Sequence, residues 1–267
     1  MPGVALALKA IVLAAGYATR LRPLTDRVAK PLLPLAGRPM LHYLYDKLAS
    51  VEAIDELHIV TNSRFAADFR EWAESGPRPL PIQVHDDGTT SNEDRLGAIG
   101  DVRFVIEHAD LEGEDLLVVA GDNLFDFDLR EFVEFWETKA DGSAICVHDV
   151  GDPELLRQYS MVELDEDGRI IFFVEKPEEP TSSLAAIAVY LYRAEHAALV
   201  VDYLAEGNSP DQPGRFVVWL YPRVPFYGYR FAGDWMDIGD PDQLLDADNR
   251  MRERQGLPKR AEYTLDN

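Results

Sequence analysis

The sequence predicts an α/β protein, a three-layer sandwich whose central sheet is mixed but mostly parallel. Three observations lead there. Apolar runs of strand length recur through the first half and end in glycine, asparagine or aspartate. Amphipathic helical patterns lie between them, and after about residue 143 the pattern turns strand-rich. Alternating strands and helices build a parallel sheet with helices on both faces. Strands covered on both faces read as near-continuous apolar runs, as these do.

The elements follow in order. AIVLAAG (10–16), LHIVTN (57–62), PIQVHD (81–86) and LLVVAGD (116–122) are the strands of the first half. Between the first two, PMLHYLYDKLASV has Pro39 suited to a first helical turn, with Met40, Leu41, Leu44 and Leu48 on one stripe. In DLREFVEFWE, Asp128 is the expected N-cap, and Leu129, Phe132, Val133 and Trp136 share a face. The strand-rich half comprises SAICVHDV (143–150), SMVELDEDGRIIFFVEKP (160–177) and AAIAVYLYR (185–193), with DEDG as a hairpin turn. A helical stretch (194–206), a Pro/Gly/Asn/Asp loop (207–214), an apolar segment (216–220), a strand near FYGYRF and a helix from about 241 to 254 complete the chain. No repeat or linker interrupts it, so residues 1–267 form one domain with halves of about 9–142 and 143–250.

Composition narrows the function. With 267 residues, 46% of them hydrophobic, the chain can bury a sizeable core. A formal net charge of -22 argues against nucleic acid and anionic membrane as partners. It does not oppose a small anion, because a local basic cluster overrides the global field at short range. The single cysteine, Cys146, forms no intrachain disulfide and fits a reducing compartment. Residues 4–15 are apolar but contain Lys9, are too short to span a bilayer and follow no basic leader. A soluble cytoplasmic protein is expected.

In open α/β sheets, ligands bind at the carboxyl ends of strands. The first such end leads into AAGYATRLRPLTDRVAK (14–30), with Arg20, Arg22, Arg27 and Lys30 against one acid, Asp26. Gly16 lets backbone N–H groups approach a ligand closely. The segment is neither a Walker A loop nor GxGxxG, and taken alone it suits a phosphate grip and a solvated connector equally. Asp122 ends another strand, in a position that suits a turn or a metal. Asp237 lies inside the apolar WMDIGD, where a carboxylate needs a partner or a metal. Two carboxylates, one from each half, would suit Mg²⁺. Glu175 and Lys176 end a strand before Pro177. Adjacent strand residues point to opposite faces, so the two diverge unless the strand ends there, and a surface ion pair is the plain reading. The six histidines (42, 58, 85, 108, 148, 196) lack metal-ligand spacing and read as structural, and Cys146 reads as core.

Together these pieces resemble the sugar-1-phosphate nucleotidyltransferases, or nucleotide-sugar pyrophosphorylases, with glucose-1-phosphate thymidylyltransferases as the nearest subgroup. That family opens with L-A-x-G-x-G-T-R-L-x-P-L-T and then P-K-P-L-L-P. Here the stretches read LAAGYATRLRPLT (13–25) and AKPLLPLAGRPML (29–41). G-D-N follows at 121–123, E-K-P at 175–177 and W-x-D-x-G at 235–239, so the resemblance spans about 9–250. It implies a Rossmann-like fold of the nucleotide-diphospho-sugar transferase type. The first half would bind nucleotide and the second the sugar phosphate.

The resemblance also implies roles. Leu13, Ala14, Ala15 and Gly16 would line the nucleotide. Arg20, Lys30 and Lys176 would be the catalytic cations on the triphosphate and sugar phosphate. Asp122 and Asp237 would hold Mg²⁺, and Glu175 would bind sugar hydroxyls. LGAIGDV (96–102) aligns with the family's L-G-T-A-G-A-L, which sets Gly97 against the base. Asn92 then falls where thymidylyltransferases carry a base-reading amide, though it reads equally well as a turn residue. Three family glycines are replaced, by Ala18 in the opening motif and by Ser160 and Ala188 in the sugar-binding region. If position 18 needs a positive φ, alanine costs roughly 1 kcal/mol or more. The hydrophobic GRFVVWLYPRVPFYGYRF (214–231) replaces a longer acidic segment.

The implied reaction is NTP plus sugar 1-phosphate giving NDP-sugar, for polysaccharide biosynthesis, and pyrophosphate. Thymidylyl transfer to glucose 1-phosphate is the first expectation. Guanylyl transfer to mannose 1-phosphate and UTP-dependent transfer are alternatives, and a nucleotide-sugar-binding regulator is a further one. A glycosyltransferase using DFD (126–128) is disfavoured by the TRLRPLT and KPLLP segments. Related enzymes are often dimers or tetramers, which makes a homo-oligomer the expectation here.

Overall fold

The computed structural model describes residues 7–265. Strand β1 (Leu8–Leu13) leads into a loop of three short 3₁₀ turns and a small hairpin, β2 (Pro34–Leu35) and β3 (Arg38–Pro39). Then come α1 (Met40–Ala49), β4 (Ile54–Thr61), α2 (Ala66–Glu74), β5 (Ile82–Asp86), α3 (Ala98–His108), β6 (Asp115–Ala120), β7 (Asn123–Phe125) and α4 (Leu129–Glu137). The second half adds β8 (Ser143–Asp149), β9 (Ser160–Leu164), β10 (Ile170–Glu175), β11 (Leu184–Tyr192), α5 (Ala194–Ala197) and α6 (Val200–Ala205). It closes with α7 (Pro213–Leu220), β12 (Phe226–Arg230), β13 (Trp235–Asp237) and α8 (Pro241–Arg254).

The main sheet runs β10-β9-β11-β6-β1-β4-β5, with β8 on β11 and β12 on β8. Strands β6, β1, β4 and β5 are parallel. Strand β11 turns antiparallel against β6, β8 and β9. The mixed α/β architecture is therefore as the sequence predicts, and every antiparallel pairing of the main sheet involves a strand of the strand-rich half.

Alternate residues of β1 serve two cores. Ala10 and Val12 pack with Leu41, Leu44, Phe69, Phe132 and Trp136, while Ile11 packs with Val102, Val105, Tyr203 and Phe216. Both faces are dry, which is why the strand carries no polar alternation. A third cluster joins the loop after β1 to the end of the chain: Leu21, Leu33, Leu35 and Met40 meet Met236, Ile238, Leu244 and Met251. That cluster lays the basic loop against β13. The expected N-cap is observed, with Asp128 accepting from Arg130 N. The apolar segment 216–220 proves to be part of α7, opened by Pro213 at its first turn. The stretch 194–206 divides into α5 and α6. Among the described residues, no helix is long and apolar enough to cross a membrane.

Candidate active site

The loop after β1 is clamped by its neighbours. Gly121 N donates to Leu13 O at 2.9 Å, and Ala14 N donates to Val60 O at 2.8 Å. Thr61 Oγ1 donates to Ala14 O at 3.3 Å, and the fully buried Asn62 amide donates to Ala15 O at 2.8 Å. Gly16 is exposed, and a Cβ there would meet open space. Ala18 does adopt the left-handed conformation, φ 44° and ψ 47°. Its carbonyl accepts from Leu21 N and from Thr25 Oγ1, both at 2.9 Å, so the turn closes with alanine in the family's glycine position. Tyr17 is buried and its hydroxyl lies 3.4 Å from Thr89 Oγ1. Thr89 in turn gives its N–H and hydroxyl to Asp87 Oδ1, each at 2.7 Å.

The carboxylates meet because β7 and β13 pair antiparallel, with Asn123 opposite Asp237. Trp235 Nε1 donates to Asn123 Oδ1 at 2.7 Å and locks that ribbon. Lys30 Nζ donates to Asp122 Oδ2 at 2.6 Å across 92 positions of sequence. Burial alone would raise the Asp122 carboxyl, but the charge and hydrogen bond of Lys30 outweigh it and hold it below its ordinary value. Asp237 is pushed up to about 6 by burial and by the charge of Asp122, against the pull of Lys30, Arg20 and Lys176. All three cations therefore act on one carboxylate. Arg20 lies over Gly239, where a Cβ would stand 2.9 Å from Arg20 Nη2. Arg22 instead pairs with Asp26 at 3.3 Å, and Arg27 is exposed.

Lys176 resolves the question of direction. Strand β10 stops at Glu175, and Lys176 takes a left-handed φ of 50° while its N–H donates to Tyr159 O at 2.9 Å. Glu175 keeps to the sheet and pairs with Ser160, and no Glu175–Lys176 ion pair forms among the described residues. Glu175 and Ser160 are direct partners across β10 and β9, and Ser160 Oγ donates to Glu175 Oε2. Ala188 is half-buried within the register shift of β11. On the other side, Gly97 opens α3 with φ 80°, and a Cβ there would fall 2.7 Å from Pro210 O. Asn92 lies half-exposed in the segment before it, and its carbonyl accepts from Arg95 Nη1 at 2.6 Å.

Sequence reasoning missed Asn62, Asn123, Gly214 and Gly239. The amide ending LHIVTN was the one signal for Asn62: a polar residue closing a dry strand must satisfy itself, and here it does so on the loop. Asn123 and Gly239 stand inside the G-D-N and W-x-D-x-G motifs, but their partners Trp235 and Arg20 lie more than a hundred positions away, so the motifs do not reveal the contacts.

Residues 9–254 match the nucleotidyl transferase family, and the chain belongs to it. It is 30% identical over 244 residues to the UTP–glucose-1-phosphate uridylyltransferase of Synechocystis, covering 87% of this chain and 60% of that one. It is 28% identical over 242 residues to the mannose-1-phosphate guanylyltransferase of Mycobacterium tuberculosis, covering 88% and 62%. The chain thus spans about three-fifths of the length of these curated relatives. Among solved structures, a Bacillus anthracis protein assigned as a glucose-1-phosphate thymidylyltransferase superposes with a TM-score of 0.77 at 24% identity, covering 92% and 96% of the two chains. A UDP-glucose pyrophosphorylase bound to UDP-glucose gives 0.75 at 22%, covering 93% and 99%. At these identities the two structures establish the shared fold.

Proposed function

We propose that the protein transfers a nucleotidyl group from an NTP to a sugar 1-phosphate, releasing pyrophosphate. The observation that carries this reading is the contact of Lys30 with Asp122 on the ribbon that also carries Asp237, with Arg20 packed over the neighbouring Gly239. Three cations around two carboxylates match a site for two phosphorylated substrates.

The chain's residues position and neutralise. Backbone from Leu13 to Gly16, held by Asn62 and Thr61, would face the nucleotide. Arg20 and Lys30 would take the triphosphate, and Lys176 the sugar phosphate. An oxygen of the sugar phosphate attacks the α-phosphorus in line; that P–O bond forms as the α–β bridge breaks and pyrophosphate leaves. The nucleophile is already anionic, so no proton has to move and no general base is needed. Glu175 would accept a sugar hydroxyl, near Ser160 and Ala188.

Asp122 and Asp237 supply hard oxygen donors. Among the described residues, no group of three or more His, Cys, Asp or Glu is able to hold a metal. Two carboxylates completed by phosphate oxygens and water suit Mg²⁺. Bound there, Mg²⁺ would neutralise the phosphate oxygens and template the two substrates.

Asn92 and Gly97 would read the base. Thymidylyl transfer to glucose 1-phosphate is placed first because an amide at 92 can pair a pyrimidine edge. Uridylyl and guanylyl transfer, which name two of the relatives, are the alternatives. The protein would work as a soluble cytoplasmic enzyme, as a homo-oligomer, without nucleic acid or membrane. A pyrophosphate-release panel of dTTP, UTP, GTP, ATP and CTP against glucose, mannose and N-acetylglucosamine 1-phosphates tests this. Turnover with one pair is expected; silence with every pair, together with retained nucleotide-sugar binding by calorimetry, would replace catalysis with a regulatory role.

A further inference from the structure

The acceptor side holds a contact that the family pattern does not call for. Ser160, in a family glycine position, sits directly opposite Glu175 on β9 and β10, so the two side chains share a face of the sheet. The Ser160 hydroxyl donates to Glu175 Oε2. The first turn of α7 covers the same oxygen. A methyl group on Gly214 would overlap Glu175 Oε2 and would stand 2.6 Å from Ser160 Oγ. Gly214 is buried and has no positive φ, so the glycine is there for space and not for conformation. Glu175 Oε1, by contrast, has no protein hydrogen bond among the described residues.

We infer that Ser160 and Gly214 are positioning residues that pin one oxygen of Glu175 and leave the other as a single, fixed acceptor for one hydroxyl of the sugar 1-phosphate. This rests on the nucleotidyl-transfer reading above. A free carboxylate can swing and accept two neighbouring hydroxyls, tolerating either epimer at a given carbon. A pinned one offers a single lone-pair direction, and a sugar whose hydroxyl points elsewhere leaves that acceptor unpaired. Ser160 therefore narrows the choice of sugar without touching the reacting phosphates.

The test compares the wild type with Ser160→Ala, Ser160→Thr and Gly214→Ala. Each is assayed with the NTP the wild type uses best and with glucose, mannose and galactose 1-phosphates. For Ser160→Ala the KM of the preferred sugar phosphate should rise about tenfold, the scale of one charge-assisted hydrogen bond. Its kcat and the KM of the NTP should stay within about threefold, and the preference over the best epimer should fall at least about fivefold. Ser160→Thr keeps the hydroxyl and should restore both values. Gly214→Ala should reproduce the rise in sugar KM while its melting temperature stays within a few degrees of wild type. An unchanged sugar KM and epimer ratio in Ser160→Ala would overturn the positioning role while the nucleotidyl-transfer reading stands. A wild type that turns over no pair would overturn both.

Discussion

Ala18 holds φ at 44°, in the region that favours glycine. An L-residue there costs roughly 1–2 kcal/mol, while glycine costs more unfolded entropy, so Ala18→Gly should stabilise by up to about 1 kcal/mol. In a chain of this size that raises the melting temperature by roughly 2–4 °C, measurable by calorimetry. A drop would mean that the methyl packs usefully, since Ala18 borders the cluster of Leu21 and Met236. Arg20→Ala should cost more than tenfold in kcat/KM, above about 1.4 kcal/mol of transition-state stabilisation. Asp122→Asn or Asp237→Asn should abolish Mg²⁺-dependent pyrophosphate release with circular dichroism unchanged; near-normal turnover in either would remove the metal assignment. At this scale the motifs singled out Arg20, Lys30, Asp122, Lys176 and Asp237, and the structure adds the contact of Lys30 with Asp122. The left-handed backbone of Lys176 after β10 was not legible, because nothing in the local pattern calls for it.

At the level of elements, two buried groups contribute to the response to pH. Asp101, in the first turn of α3, is pushed up to about 8 by burial and by the charge of Asp87. Its folded pKa lies above the ordinary 3.8, so the fold prefers the protonated form and loses stability as pH rises toward 8. From pH 6 to 8 that loss approaches roughly 2–3 kcal/mol, at about 1.4 kcal/mol per unit. Asp101→Asn should flatten this slope in urea melts. A slope that persists in the variant would place the titration elsewhere. His58, on β4, is fully buried, with Nδ1 3.0 Å from His85 Nε2. Burial lowers it to about 4, against the pull of Glu56. The neutral ring is preferred, so its contribution is intact above pH 6.5 and is lost as pH falls toward 4, by up to about 3 kcal/mol. Most elements were legible from apolar periodicity. Helix α7 was not, because FVVWL is apolar at every position, and such a run has no period to distinguish helix from strand.

The whole molecule sets a net charge of -22 against a small basic focus. Long-range repulsion of an anionic substrate is screened by salt, while Arg20, Lys30 and Lys176, on the proposed reading, would act at contact range and be screened less. At fixed free Mg²⁺, kcat/KM for the NTP should hold or rise from 10 to 150 mM ionic strength, by less than about threefold. A steep fall would show that the basic focus steers at a distance. The sequence by itself determined the order of most strands and helices, the burial of β1 on both faces and the family motifs that single out candidate residues. Those follow from local periodicity and short motifs, which act within a few residues of themselves. Only the tertiary structure decided that β7 and β13 bring Asp122 and Asp237 together, that Lys30 pairs with Asp122, and that Gly214 seats α7 on Glu175. These depend on strand register and helix docking between distant segments, where burial and steric fit select the partners after the local elements exist.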